Sequence, residues 1–218
     1  MTPVALSRVH YPVSALGPGR RLGVWFQGCS IRCPGCVSMD TWAARPVDAT
    51  VEGLLADLSE IASEADGLTI TGGEPFDQPE ALHALLQGWR MTGRGDVIVF
   101  SGYPAETVAP IVGRCPGAID LLVADPFVVT TGQTKPLRGS DNQRMIGLTP
   151  RGKQLAALYR RPIEPADRVL DVLFDDHTGE VFMAGIPQQG DMRRLAGAMR
   201  EQGHVVTVSE GHPKAAAC

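Results

Sequence analysis

The 218-residue sequence predicts an α/β fold in which helices cover a parallel β-sheet. Two observations support this prediction. Short, nearly continuous apolar runs, typical of strands buried on both faces, alternate with longer segments whose apolar residues recur at helical spacing. Strands joined through helices in this way are parallel, with right-handed crossovers. Because 44% of the residues are hydrophobic, the chain can bury a sufficient core without disulfides or structural metals.

The first half of the chain contains predicted strands and helices in alternation. Strands are expected within residues 22–28, 67–75, 96–103 and 119–127, and helices at 48–63, 79–93 and 104–115. The last of these helices is interrupted near Pro110. Asp48 and Thr50 are both candidates for the N-cap of the first helix, because either side chain can accept a hydrogen bond from the first turn.

The second half of the chain has a different pattern. Residues 128–153 are polar and rich in glycine, which predicts a long functional loop or cover. Two strands around an Asp-His-Thr-Gly turn are predicted within 168–187, followed by a helix at 190–203 and a last strand at 204–210. We therefore divide the chain into a core, residues 1–150, and a C-terminal α/β extension, residues 151–218.

Charge and hydropathy narrow the classes of partner. The chain has 20 basic and 24 acidic residues, a net charge of -4, whereas nucleic-acid and membrane-surface binding need a surplus of basic side chains. The first residues lack the pattern of a signal peptide, and no run approaches the roughly 18 to 20 apolar residues of a spanning helix. We expect a soluble, cytoplasmic protein with neither a nucleic-acid nor a membrane partner.

Three of the five cysteines, Cys29, Cys33 and Cys36, follow the spacing Cys-x3-Cys-x2-Cys. In a chain expected to be cytoplasmic, this odd, clustered set favours metal-binding thiolates over disulfides. Three thiolates can hold three irons of a 4Fe-4S cluster and leave the fourth iron open. Zinc with a distant histidine is the alternative, although the sequence has no His-x3-5-His pair and no second Cys-x2-Cys to complete the usual pattern. Cys115 and Cys218 lie apart.

Short polar or glycine-containing motifs also follow the other predicted strands. They are TGGEP at 71–75, SGYP at 101–104 and ADPF at 124–127. Parallel α/β sheets place their ligand sites at the carboxyl ends of the strands. We therefore expect these motifs and the cysteine loop to meet at one mouth.

The cysteine spacing resembles the signature of radical S-adenosylmethionine (SAM) enzymes. Within them, the stretch GPGRRLGVWFQGCSIRCPGCVSMDTW, residues 17–42, is similar to the activases of glycyl radical enzymes, above all those of anaerobic ribonucleotide reductases. The similarity continues through TGGEP, VFSGYPAETV, IDLLVADPF and LRGSDNQRMI. It covers about residues 15–147 and leaves most of the extension without a counterpart.

The resemblance implies a fold, two cofactors and a reaction. The fold is a partial (β/α) barrel formed by the core, and Cys29, Cys33 and Cys36 bind a 4Fe-4S cluster whose free iron is chelated by SAM. An electron from the cluster cleaves SAM to methionine and a 5′-deoxyadenosyl radical, which abstracts a hydrogen atom. The activases install a glycyl radical on a partner enzyme in this way. A flavodoxin or ferredoxin is the expected electron donor.

The resemblance also implies a set of SAM-binding residues, namely Gly35, Val37, Gly72, Gly73, Glu74 and Ser101. Gly72 and Gly73 let the backbone approach the methionine end of SAM, and Glu74 offers a negative partner to its ammonium group. Ser101 hydrogen-bonds to SAM or lines the site, and the backbone around Gly35 and Val37 meets the adenine. No acid-base catalyst is expected, because the nucleoside radical abstracts the hydrogen atom.

Two positions depart from the pattern of the activases. Arg20 stands where these proteins have an apolar residue, with Arg21 as the retained arginine. Asp125 is shifted by one place, which turns its side chain to the other face of a strand and argues against contact with SAM. The loop after it has three open roles, which are covering SAM, receiving the partner's glycine loop, or satisfying its own polar groups; its candidates are Arg138, Ser140, Asn142 and Arg144.

The extension leaves two alternative functions open, because compact reductase activases end soon after the loop at 138–144. One is a radical SAM enzyme acting on a small molecule or peptide, similar to a carboxydeazaguanine synthase. The other is a non-catalytic iron-sulfur protein for electron transfer or binding. The extension itself either closes the barrel, recruits a partner, or shapes a pocket for a small substrate.

Overall fold

The computed structural model describes residues 1–47, 49–92, 94–174, 181–188 and 190–206, without the side chains of Leu173 and Phe174. The strands are β1 (Pro3–Val4), β2 (Leu6–Val13), β3 (Arg21–Phe26), β4 (Ala49–Thr50), β5 (Gly67–Gly72), β6 (Asp96–Phe100), β7 (Leu121–Ala124), β8 (Arg144–Gly147), β9 (Leu170–Phe174) and β10 (Val181–Gly185). The α-helices are α1 (Val51–Asp57), α2 (Ser59–Glu64), α3 (Pro79–Met91), α4 (Ala105–Val112), α5 (Pro150–Leu158) and α6 (Asp191–Glu201). Short 3-10 helices lie at Met39–Thr41, Pro75–Asp77 and Pro165–Asp167.

A six-stranded sheet in the order β2-β3-β5-β6-β7-β8 forms the centre of the fold. The neighbours β3, β5, β6 and β7 are parallel, which confirms the α/β class and the four strands predicted in the first half. The edge strands β2 and β8 are antiparallel and were missed by the sequence analysis. The partial barrel that the resemblance implies stays a prediction.

The two faces of the sheet are covered by different parts of the chain. On one face, apolar side chains of α3 such as Leu82, Leu85 and Trp89 pack into the main core, because they recur at helical spacing along one side of the helix. On the other face, Leu155 of α5 packs against strands β6 and β7, and Ala184 of β10 packs near Trp25. The sheet is thus buried on both sides, as its continuous apolar strands require.

Three predictions about single elements need correction. Helix α4 continues through Pro110, near which an interruption was expected. The helix expected at 48–63 is divided at Leu58 into α1 and α2; Thr50 is the N-cap and accepts a hydrogen bond from Gly53 N at 3.2 Å, whereas Asp48 lies outside the described residues. The loop expected at 128–153 contains β8 and the start of α5, which begins where the Thr149 hydroxyl accepts a hydrogen bond from Gly152 N at 3.0 Å. The division of the chain at residue 150 stays a prediction.

The strands of the extension do not join the central sheet but form a separate hairpin. Strands β9 and β10 pair with each other in a separate antiparallel sheet, as predicted, while the turn at 175–180 lies outside the described residues. The helix predicted at 190–203 is confirmed by α6. The strand expected at 204–210 is wrong for residues 204–206, and the remainder lies outside the described residues. No described helix has both the length and the apolar character needed to span a membrane.

The amino ends of the parallel strands are held by a buried ion pair. Arg21 is fully buried, and its Nη1 lies 2.7 Å from Oδ1 of Asp96, itself almost fully buried. The guanidinium also donates to Leu68 O at 2.7 Å and to Thr69 Oγ1 at 2.6 Å. Arg20 instead stacks on the ring of Tyr11, at 5.1 Å. The GPGRR segment therefore stabilises the amino end of the sheet, which is the end opposite the cysteine loop.

Candidate active site

The four motifs that follow the parallel strands meet at one cavity of about 250 Å³. Its described lining includes the cysteine loop after β3, the TGGE turn after β5, residues 101 and 102 after β6, and Phe127 after β7. The expectation that these motifs share one mouth is therefore correct. The physical reason is that the carboxyl ends of parallel strands lie along the same edge of the sheet.

All three cysteines of the motif line this cavity. Burial raises the pKa of the Cys29 and Cys33 thiols, and it raises the pKa of Cys36 to about 11. The thiols are therefore protonated near neutral pH unless a cation stabilises their thiolates, as a bound metal does.

The chemistry of the three thiols fits a 4Fe-4S cluster, because each thiolate binds a different iron. Three thiols around one cavity therefore fit the cluster.

The glycines of the TGGE turn allow two backbone segments to lie against each other. A Cβ on Gly73 would lie 2.0 Å from Gly28 O, and one on Gly72, whose φ is +104°, would lie 2.5 Å from Phe26 N. The same approach forms backbone hydrogen bonds, from Gly73 N to Phe26 O and from Glu74 N to Gly28 O, both at 2.8 Å. The turn is thereby fixed directly beside Cys29.

Glu74 is 1% exposed and joins the TGGE turn to the loop after β6. Its Oε1 accepts hydrogen bonds from Phe76 N at 3.1 Å and from Ser101 Oγ at 2.9 Å, and its Oε2 accepts one from Gly102 N at 2.8 Å. Burial raises the pKa of Glu74 to about 7, although the three donors favour the charged form. Ser101 therefore acts on this carboxylate, in addition to lining the cavity.

Ser30, Asp77 and Tyr103 connect the cysteine loop to the TGGE turn and to the loop after β6. The sequence analysis did not predict this connection. The backbone N of Ser30 donates to Asp77 Oδ2 at 2.8 Å, and Tyr103 OH donates to Asp77 Oδ1 at 2.7 Å. The hydroxyls of Ser30 and Tyr103 are themselves 2.7 Å apart. Asp77 stands three positions after Glu74 and Tyr103 is the last residue of SGY, but only the fold brings them to Ser30.

Gly35 and Val37 flank the last cysteine of the motif and line the cavity. Gly35 has a φ of +76°, which favours glycine, and a Cβ there would lie 3.3 Å from Val129 Cγ2. Val37 is 49% exposed. This side of the cavity is therefore apolar and open at its rim.

The candidates in the loop after β7 are largely engaged with the protein itself. Arg144 pairs with Asp125 at 2.6 Å, and Arg138 donates to Tyr159 O at 2.8 Å. The Ser140 hydroxyl accepts a hydrogen bond from Val128 N, and Asn142 donates to Pro126 O. The cavity is lined instead by Gly139 and Gln143 of the same loop.

The extension contributes a further part of the lining that the sequence analysis did not identify. The residues concerned follow from β10 to the start of α6 and are Met183, Ala184, Gly185, Ile186, Pro187, Gln188 and Met192. No motif marks them in the sequence, because their role depends on how the hairpin packs on the sheet.

Comparison with known proteins identifies related sequences. A family profile described as 4Fe-4S single cluster domain matches residues 15–146. The anaerobic ribonucleoside-triphosphate reductase-activating protein of Salmonella typhi is 31% identical, over 62% of this chain and 93% of that protein. The protein of the same name from Enterobacteria phage T4 is also 31% identical, over 59% and 85%.

Two further similarities cover smaller parts of the chain. The pyruvate formate-lyase-activating enzyme of Clostridium pasteurianum is 39% identical over 40% of this chain and 39% of that enzyme. The crystal structure of QueE from Escherichia coli superposes with a TM-score of 0.38 and 18% identity, covering 47% of this chain and 54% of that one. The structural likeness is too low to bear on function.

The matched region contains all three cysteines of the motif, the TGGE turn and Ser101. The family and the relatives show that the cofactors of this chain are a 4Fe-4S cluster and SAM. They exclude the alternative of a non-catalytic iron-sulfur protein. The chain belongs to the 4Fe-4S single cluster domain family and is a radical SAM enzyme of the same family as these activating proteins.

Proposed function

We propose that this enzyme installs a glycyl radical on a partner protein, and that the partner is an anaerobic ribonucleotide reductase. The observation that carries the proposal is the single cavity shared by the three cysteines, the TGGE turn and the loop after β6. The reductase as partner is supported by the names of the relatives that align over 85 to 93% of their length.

We assign cluster binding to Cys29, Cys33 and Cys36, which leaves one iron for the amino and carboxylate groups of SAM. When bound, the cluster and SAM supply an electron and a 5′-deoxyadenosyl group that accepts a hydrogen atom. The protein's contribution is to hold these groups in place and to exclude water.

We assign the methionine end of SAM to the TGGE turn. The backbone of Gly72 and Gly73 forms the wall there, and Glu74 provides an anionic hydrogen-bond acceptor for the SAM amino group. Ser101 holds that carboxylate in place through the hydrogen bond at 2.9 Å. Gly35 and Val37 form the wall for the adenine, which suits the apolar character of their side of the cavity.

A flavodoxin or ferredoxin is proposed as the electron donor, and the cytoplasm as the location. Both follow from the reaction, which needs a strongly reducing one-electron donor and an environment that keeps cysteines reduced.

The test is anaerobic reconstitution followed by two assays. With iron and sulfide, the enzyme should bind about four irons, and with dithionite and SAM it should form 5′-deoxyadenosine. Addition of the anaerobic ribonucleotide reductase from the same organism should give a glycyl radical signal in electron paramagnetic resonance. Cys36→Ala should lose cluster and product, whereas Cys115→Ala, outside the cavity, should retain both.

Two results would contradict the proposal. An enzyme that binds the cluster but forms no 5′-deoxyadenosine is not using SAM in this way. Formation of 5′-deoxyadenosine without any glycyl radical on the reductase would direct attention to a small-molecule or peptide substrate.

A further inference from the structure

The extension is firmly attached to the core next to the cavity. Asp171 of β9 accepts hydrogen bonds from Ser14 N at 2.7 Å, from Ser14 Oγ at 2.6 Å and from Ala15 N at 2.8 Å. On the neighbouring strand, Ala184 is 2% exposed in a cluster with Trp25. These contacts fix the position of β10, whose end lines the cavity.

We call residues 183–188 together with Met192 the extension wall. Gln133 ties this wall to the loop after β7, because its Nε2 donates to Pro187 O at 3.1 Å and to Arg138 O at 3.2 Å. The wall faces the same cavity as the cysteine loop and the TGGE turn. It is therefore part of the surface that a substrate meets beside the cofactors.

The chemistry of the cavity favours an uncharged occupant beside this wall. Among the described lining residues, the Arg and Glu side chains are Arg8 and Glu74. Arg8 is paired with Asp40 at 2.6 Å and stacks on the ring of Phe182 at 4.9 Å, and Glu74 accepts three hydrogen bonds. The wall itself adds apolar groups and the amide of Gln188, whose buried Nε2 has no hydrogen-bond partner among the described residues. A carbonyl oxygen placed there would gain a donor, whereas a charged group would lose hydration and find no opposite charge on the wall.

The wall also lies outside the region that this chain shares with its relatives. The family match ends at residue 146, and the Salmonella typhi protein is covered over 93% of its length by 62% of this chain. The cofactors are common to the family, whereas the wall belongs to this chain's additional sequence. A function specific to this enzyme is therefore expected at the wall.

We propose that the extension wall contacts the neutral backbone segment of the partner that carries the target glycine, and that this contact selects the partner. This inference rests on the proposed function. A polypeptide backbone supplies uncharged amide groups, and a glycine adds no side chain that the cavity would have to accommodate. The wall thus determines substrate specificity, while the cysteine loop and the TGGE turn hold the cofactors.

The test places a charge on the wall. Met183 lies in the wall and is 38% exposed, so that Met183→Glu should fold. Met199 of α6 is 36% exposed and does not line the cavity, which makes Met199→Glu the matched control. The substrate is the same organism's reductase, labelled with α-deuterated glycine, assayed with SAM and dithionite.

The assay measures deuterium in 5′-deoxyadenosine and the glycyl radical signal as the reductase concentration is varied. When the glycine Cα–D bond breaks, the deuterium passes to the 5′ carbon and the radical stays on glycine. For Met183→Glu, we expect the reductase concentration that gives half the maximal radical to rise at least about tenfold. Met199→Glu should resemble the wild type.

Different results overturn the inference and the proposed function. If the wild type forms the radical and Met183→Glu needs no more reductase than Met199→Glu, the extension wall does not select the partner. If the wild type cleaves SAM but transfers no deuterium from the reductase, the proposed function itself is wrong, and the inference fails with it.

Discussion

At the scale of single residues, Glu74 combines two roles that usually belong to different side chains. Its three hydrogen bonds join the TGGE turn to residues 101 and 102, which is a structural role. Its charge strengthens the hydrogen bond that we propose from the SAM amino group, and burial raises the pKa of Glu74 to about 7. Its protonation state therefore changes within the physiological range.

This pKa gives a prediction for the pH dependence of SAM binding. Below about pH 7 the carboxyl is protonated and offers no charge, and above it the carboxylate can accept a hydrogen bond from the SAM amino group. The affinity of the cluster-loaded enzyme for SAM should therefore increase, by about fivefold between pH 6.0 and 7.5. Calorimetric titration at several pH values measures it.

The control for this titration is Glu74→Gln. We expect it to bind SAM about tenfold or more weakly, because a charged hydrogen bond is lost, and without the pH dependence. A wild-type affinity that stays constant across this range would show that the Glu74 charge does not act on SAM.

At the scale of elements, the TGGE turn and the cysteine loop behave as one unit. Backbone hydrogen bonds from Gly73 and Glu74 connect them, and Ser30, Asp77 and Tyr103 add a second connection through side chains. A change in either element should therefore displace the other.

Gly73→Ala tests this coupling. A Cβ at 2.0 Å from Gly28 O cannot be accommodated, because the obstructing atom belongs to the backbone. We expect the turn to move away from the cysteine loop and the iron content after reconstitution to fall by about half or more. Iron and sulfide analysis measures this.

Gly197→Ala is the matched control, since nothing lies within 4 Å of its Cβ position in α6. It should bind iron like the wild type and be more stable by up to about 1 kcal/mol, because alanine favours the helix. Equal iron contents in the two variants would argue against coupling between the turn and the loop.

At the scale of the whole molecule, stability and chemistry are located at opposite ends of the sheet. The Arg21–Asp96 pair lies at the amino ends of the strands, and the motifs lie at the carboxyl ends. Asp96 also pairs with Arg151 of α5 at 2.9 Å, which connects the ion pair to the helix on the second face.

Removing the Arg21–Asp96 ion pair should lower the stability of the fold more than it disturbs the active site. Asp96→Ala leaves Arg21 charged and buried without its partner, so that the free energy of unfolding should fall by about 3 to 5 kcal/mol. The exposed pair Glu80–Arg114 is the comparison, and Glu80→Ala should lower the free energy of unfolding far less, because solvent screens an exposed pair. Urea unfolding of the metal-free protein measures both; similar midpoints would exclude an anchoring role.

The sequence predicts the parts of this molecule that depend on local pattern. The four parallel strands and the convergence of their motifs follow from apolar runs and from the geometry of parallel sheets. The edge strand β8 was missed because Arg144–Gly147 is short and lies in a polar stretch, and it forms only by pairing with β7. Tertiary pairing, rather than local propensity, decides such a strand.

The candidate site divides in the same way. Spacing and resemblance identify Cys29, Cys33, Cys36 and the TGGE turn, because the chemistry requires these residue types close together in the chain. The reason that Gly73 must be glycine is its approach to Gly28, 45 positions earlier, and no local pattern contains it. The extension wall likewise depends on contacts over long sequence separations, such as Ser14 with Asp171.

The ion pair between Arg21 and Asp96 also determines the order of events when the enzyme matures. Since the scaffold is anchored far from the cysteines, the polypeptide should fold before any iron arrives, unlike small zinc domains that fold only with their metal. The cluster is then delivered into a finished cavity through its open rim beside Val37. Folding and cluster insertion are therefore expected to be separate steps, in that order.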